Sequence, residues 1–288
     1  MRASRSRVAE SLAGPIERAG SVDPVLGPVQ AAVRRALPED SVAKEILSGS
    51  WIGHPVHPLL TDVVVGSWLS AWTLDLIGSD GHERAADGLI AVGLVAAAPT
   101  ALTGLSDWAE LRAGARRVGG LHALGNIGAT ALHLSSWLLR RHGRRSAGRA
   151  ASTLGIALAG GSAWLGGHLS FAQGVGVDQT VFEDPPTSWT PLIDARKLKQ
   201  GRPVRRSARG TAVLLLRHER EIHALIDRCS HRGCSLSEGT FDGTAITCPC
   251  HGSQFGVDGR LLRGPATNPQ PRLETRVRGG RVEVRAAP

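Results

Sequence analysis

The chain has 288 residues, room for two domains of ordinary size, and its 34 basic residues exceed its 25 acidic ones to give +9. Such a balance suits an anionic membrane surface or nucleic acid, but no stretch interleaves aromatic with basic side chains and no reading helix is evident. Nucleic acid is therefore excluded as a partner. Only Lys44, Lys197 and Lys199 are lysines, a pattern of coding bias as much as of phosphate binding.

Residues 1–50 form a polar, Arg/Ala-rich, Pro-broken tail without the apolar core of a cleavable signal. Within it, Val25 to Leu37 fits a short amphipathic helix and equally a partly disordered tail. Residues 51–177 read as a four-span membrane domain, with spans at about 59–78, 86–106, 118–139 and 150–171. A bilayer core of ~30 Å needs ~20 mostly apolar residues per helix, and each stretch reaches that length. The connectors are short and charged, and Trp51, Trp108 and Trp137 sit near the proposed ends, where indole favours the interface. Gly119, Gly120, Gly125, Gly128, Gly160 and Gly161 permit close helix approach in lipid. A soluble Ala-rich bundle is the alternative. The charge-free runs Val118 to Leu139 and Ala150 to Val177 argue against it. Four spans put both termini on one membrane side, but arginines flank both sides and do not decide which.

A linker, 178–189, leads to a region, 190–286, of short alternating strands. All seven tryptophans lie at or before Trp189, whereas all four cysteines lie after position 228, so the two halves carry separate chemistries. Thr211 to Leu216 and Glu221 to Ile226 flank a polar turn at 217–220, a hairpin signal. Then come Cys229-Ser230-His231-Arg232-Gly233-Cys234 and, with 16 residues between His231 and Cys248, Cys248-Pro249-Cys250-His251-Gly252-Ser253. Two Cys and two His suit a [2Fe–2S] centre in which two thiolates hold one iron and two imidazoles the other. They also suit structural zinc. Zinc fingers pair their cysteines in one element and their histidines in another. Here each loop brings one of each.

Those motifs, with Gln254-Phe255 and Gly264-Pro265-Ala266, closely resemble the Rieske family over about residues 190–286. The resemblance implies Cys229 and Cys248 on the buried iron and His231 and His251 on the outer one. It also implies a disulfide between Cys234 and Cys250, a Ser253 hydroxyl donating to a cluster sulfur, and a covering proline loop at Gly264 and Pro265. Phe255 stands where the respiratory branch has Tyr; losing that donor implies a lower reduction potential. Residues 50–180 resemble a bacterial four-helix membrane domain of unknown function (DUF2231-like). The match is carried by Gly53-His54-Pro55-Val56-His57-Pro58, Leu105-Ser106-Asp107-Trp108, Gly120-Leu121-His122 and Gly166-Gly167-His168. The expected fold class is thus α + β multidomain: an N-terminal four-helix transmembrane bundle followed by an all-β Rieske domain.

With both termini on one side, His54, His57, His122 and His168 fall at similar depth on one membrane face. His133 lies on the His122 helix face about three turns deeper. This set fits a haem b or quinone site, a metal site, or mere hydrogen bonding between helices. The function expected is single-electron transfer by a bacterial cell-membrane, multi-pass protein, with a redox partner protein or the quinone pool and the lipid bilayer as partners. The Rieske domain is expected in the cytoplasm. An oxygenase would need a mononuclear iron domain, for which the soluble part has no room, so this chain would be its ferredoxin component only. A redox sensor is the third reading. An electron carrier or oxidoreductase component fits better than a self-contained enzyme.

Overall fold

The computed structural model describes residues 7–78 and 80–287. Its helices are α1 (Arg7–Arg18), α2 (Asp23–Ala36), α3 (Val42–Ser48), α4 (Val56–Ile77), α5 (Glu83–Trp108), α6 (Ala113–Arg141) and α7 (Arg145–Gly167). Ten strands follow: β1 (Thr190–Asp194), β2 (Val204–Ala208), β3 (Thr211–His218), β4 (Glu221–Ile226), β5 (Thr240–Phe241), β6 (Ala245–Thr247), β7 (Gln254–Gly256), β8 (Leu261–Arg263), β9 (Arg272–Arg278) and β10 (Arg281–Ala286). The chain divides into two compact units. One is residues up to Leu37 with Val56–Val175; the other is Pro38–Pro55 with Gly176–Pro288.

The helical unit is built on α4 to α7, which coincide with the four expected spans. Two of them, α4 and α5, are long and apolar enough to cross a bilayer by length and composition. The buried positions include Ser106, Ser136, Ser152, Ser162 and His133, while Leu69, Val95, Leu124, Ile127 and Leu154 face outward. The expected tail is helical where described. Gln30 on α2 is buried and its amide donates to the carbonyls of Trp108 at 3.1 Å and Leu111 at 2.8 Å. Asp23 pairs with Arg117 and Arg116, which hold its carboxyl well below the usual carboxylate range.

Contacts across this unit repeat with a fixed shift. Adding 65 to positions on α4 gives positions on α6, and three such pairs touch. His57 meets His122 at 6.3 Å between ring centroids, Trp68 stacks on His133 at 3.9 Å, and Asp75 is ion-paired with Arg140. Adding 62 carries α5 onto α7. His57 donates from Nδ1 to the Thr100 carbonyl and packs on Gly104; His122 donates to the Ser162 carbonyl and packs on Gly166. Trp68 packs on Gly93, and His133 packs on Gly155. The unit is two copies of one helical hairpin, set in parallel about an approximate two-fold axis.

In the second unit a six-stranded antiparallel sheet runs β1-β10-β9-β4-β3-β2, and a four-stranded one runs β5-β6-β7-β8. The expected hairpin is β3–β4. Strand periodicity explains the two cores: Val213 and Leu215 enter one, Leu214 and Leu216 the other. The second core ends on Cys229, Cys248, Phe255 and Ala266. The same unit takes in Pro38–Pro55, capped at α3 by Ser41, whose hydroxyl accepts from Lys44 N–H at 3.2 Å.

Candidate metal centre

Two loops with one backbone pattern form the site. In the first, the N–H of Cys229 donates to Cys234 carbonyl and the N–H of Gly233 to Cys229 carbonyl, both at 2.8 Å. In the second, Cys248 donates to Ser253 at 2.8 Å and Gly252 to Cys248 at 3.1 Å. Each loop thus closes five residues after its cysteine, and at the fourth residue the backbone turns left-handed, with φ of 72° at Gly233 and 70° at Gly252. Glycine adopts that conformation without the Cβ penalty. The N–H groups of His231 and Arg232 are aimed at the Cys229 sulfur, and those of Cys250 and His251 at the Cys248 sulfur.

The loops are tied by a disulfide between Cys234 and Cys250, with Cα atoms 6.4 Å apart. Cys229 and Cys248 remain free and buried, their thiols within hydrogen-bonding reach of each other. That shared bond lowers Cys248 to about 7, and together with burial it pushes Cys229 up. Two buried cysteines side by side, with N–H groups aimed at their sulfurs, suit thiolate ligation of a bound cation. The rings of His231 and His251 lie 5.1 Å apart at 87°. Two imidazoles sharing one metal at ~2.1 Å place their centroids about 5 Å apart at a near-tetrahedral angle, so the pair fits one iron. Cys229, Cys248 and His251 are buried, and His231 is half-buried.

Two residues outside the motifs hold the first loop. Asp227 is buried; its carboxylate accepts from Ser235 Oγ at 2.6 Å and Ser237 N–H at 2.8 Å. Gln270 is 2% exposed, donates to the carbonyls of Ile226 and Arg228, each at 2.6 Å, and accepts from Ser230 N–H at 3.1 Å. Neither has a local sequence signature. Only the polar character of Gln270 between two prolines in an otherwise structural turn hints at a role.

Comparison with known proteins agrees with this geometry. Residues 188–277 match the model of the Rieske [2Fe-2S] domain, and 53–179 match that of a predicted membrane protein domain, DUF2231. Ferredoxin CarAc of Metapseudomonas resinovorans is 37% identical over 98 residues, which is 33% of this chain and 92% of that protein. The chain belongs to the Rieske family. Cytochrome b6-f complex iron-sulfur subunit 3 of Nostoc sp. is 44% identical over 45 residues, covering 16% of this chain and 25% of the subunit. Among solved structures, the complex of reduced oxygenase and oxidized ferredoxin in carbazole 1,9a-dioxygenase shares 34% identity. It covers 34% of this chain and 94% of that chain, with a TM-score of 0.33. The DUF2231 match and the apolar helices mark a membrane protein.

In the Rieske domain Ser253 is fully buried and accepts from Ala266 N–H at 3.0 Å, leaving its hydroxyl proton to donate elsewhere. Phe255 lies wholly within the core beneath the cysteines. The proline loop carries Gly264 and Pro265, joined by a cis peptide. A Cβ on Gly264 would come within 2.9 Å of Ser50 Cβ, so the loop is in close contact with Pro38–Pro55. The helical unit brings two of the expected site histidines together. His57 and His122 meet. His168, stacked on Trp164 and buried at the π-helical end of α7, pairs with Glu17 at 2.8 Å. His54 belongs to the other unit.

Proposed function

We propose that the chain is a membrane-bound carrier of single electrons, its [2Fe–2S] cluster held by Cys229, His231, Cys248 and His251. The matched pair of loops carries this reading: four ligands of the right kinds, sulfur-directed N–H groups and a disulfide tie. When bound, the cluster supplies reversible one-electron chemistry, and its imidazole ligands raise the potential above that of an all-Cys cluster. The chain's own part is to bury the thiolate side, direct N–H groups to sulfur and leave His231 the more accessible ligand. The cover of most of a ferredoxin supports a redox protein as partner.

Two observations support four spans. Pro38–Pro55 folds as one unit with Gly176–Pro288, so the chain returns to the membrane side it left, and the crossings between are even in number. The 65- and 62-residue shifts make α6 and α7 equivalents of α4 and α5, which pass the apolarity test. Outward-facing Leu, Val and Ile around polar buried positions fit a lipid surround. The Arg-rich stretch before α4 supports a cytoplasmic Rieske domain. A second redox site for haem b or the quinone pool would centre on His57 and His122, which meet within the helical unit.

The decisive experiment is metal and redox analysis of the purified full chain. Two irons per chain and a one-electron reductive titration with a reduced-state paramagnetic signal are expected, lost in Cys229→Ser and His251→Ala. Stoichiometric zinc without iron would refute the reading. Alkaline phosphatase fused to the C-terminus is expected to be inactive and, fused after Arg144, active; the reverse pattern overturns the orientation.

A further inference from the structure

Residues 38–52 lie outside both family matches, which begin at 188 and 53, yet they fold with the Rieske domain. Their contacts fall on the cluster-binding elements. Ser48 and Ser50 lie against Gly264 of the proline loop: a Cβ there would meet Ser50 Oγ at 3.0 Å and Ser48 Oγ at 3.3 Å. A Cβ on Gly252, the residue after the ligand His251, would meet Glu39 Oε2 at 3.3 Å. Glu39 is also close enough to act electrostatically on the ligand Cys248. Arg263 is also near Gly252, its Nη2 donating to the Gly252 carbonyl at 3.4 Å.

We propose that Pro38–Pro55 is a strap over the cluster loops and that Glu39 is a positioning residue setting the cluster's reduction potential. This rests on the cluster assignment above. Reduction adds one negative charge to the cluster. A carboxylate beside the His251–Gly252 turn opposes that added charge; Glu39 is exposed, so solvent and salt moderate the effect without changing its sign. Arg263 favours the reduced form and Glu39 opposes it, so removing the carboxylate shifts the balance toward reduction. The strap contacts at Ser48 and Ser50 fix the carboxylate's distance. The strap is supplied by the segment just before α4, so this chain tunes its cluster with a residue that the domain alone does not contain.

The test is a redox titration of the full detergent-purified chain, followed by visible circular dichroism and the reduced-state paramagnetic signal, for Glu39→Asp, Glu39→Gln and Glu39→Lys. The midpoint is expected to stay near wild type in E39D, shift upward in E39Q and shift further upward in E39K, with iron content and spectral shape unchanged. Equal midpoints across the series, or an order that does not follow charge, would overturn the proposal. So would loss of the cluster in E39Q and E39K alike, which would make Glu39 structural. Absence of iron from the wild-type chain would instead defeat the cluster assignment, so the two failures are distinct.

Discussion

Replacing Gln270 by Leu isolates the support of the first ligand loop from the ligands themselves. The side chain is 2% exposed and its three hydrogen bonds reach Ile226, Arg228 and Ser230, the strand end and loop that deliver Cys229 and His231. Leucine fills similar volume but leaves two carbonyls and one N–H without that partner. A buried polar group left unsatisfied costs ~1–3 kcal/mol, so about 3 kcal/mol is expected after partial relaxation. At ~1.4 kcal/mol per tenfold, this raises the population of the locally opened loop roughly a hundredfold. The assay is the rate at which the visible circular dichroism of the oxidised cluster bleaches in mild denaturant with an iron chelator. Gln270→Leu is expected to bleach about a hundredfold faster than wild type, with initial iron content unchanged. Gln270→Glu should be at least as labile, because a carboxylate cannot donate to the carbonyls of Ile226 and Arg228. Bleaching within about threefold of wild type in either variant would refute the reasoning.

Other expectations follow from the same interactions. Alkylation of the unfolded, metal-free chain without reductant should label two cysteines, Cys229 and Cys248, and four after reduction; mass spectrometry reads the count directly. Cys234→Ser opens a loop of sequence separation 16, worth ~3 kcal/mol of loop constraint, and should speed cluster bleaching while leaving the ligand set intact. Arg140→Leu leaves the buried carboxylate of Asp75 without its main partner and should destabilise the helical unit by roughly 3–5 kcal/mol. Thermal aggregation in detergent measures this, and Asp75→Leu in the same chain should restore much of the loss.

The two candidate ligand loops are legible because each is local: cysteine, histidine and glycine fall within six residues, and the backbone hydrogen bonds close inside the loop. The disulfide followed from resemblance and stands in the structure. What could not be seen in advance depends on residues far apart in the chain. Gln270 reaches back 42 residues to Arg228, and Glu39 lies more than 200 residues before the loop it touches. The tail seemed separable at residue 50 because its composition is polar, but Ser48 and Ser50 pack against Gly264 through small side chains that no hydrophobic pattern marks. The histidines show the same limit. Depth along a helix is readable from spacing, and it placed His57 level with His122. Azimuth is not, and His168 turns instead toward Glu17.

The charges of α6 and α7 need an account if these helices cross a bilayer, because composition alone ranks them below α4 and α5. Arg140 is fully buried and pairs with Asp75 and Asp87; Arg145 reaches Glu83 at 2.7 Å and Asp87 at 3.1 Å; Arg149 reaches Asp75 at 3.5 Å and Glu83 at 3.6 Å. The three arginines are on α6 and α7, and their three acidic partners are on α4 and α5. A count made helix by helix scores them as unpaired charges in each, whereas the folded unit holds them as one neutralised cluster at a single end of the bundle. The cost of a charge in lipid falls steeply when it is paired inside the bundle or lies near the interface. The pairing also suits a place where equivalent positions of the two hairpins carry opposite charges. Position 75 on α4 and its equivalent 140 on α6 face each other across the approximate two-fold axis, where identical charges would repel. One copy carries Asp and the other Arg, and the contact that symmetry forces becomes an attraction. The same logic separates Trp68 from His133, whose stacking joins an aromatic face to a polar ring at the buried centre of the unit.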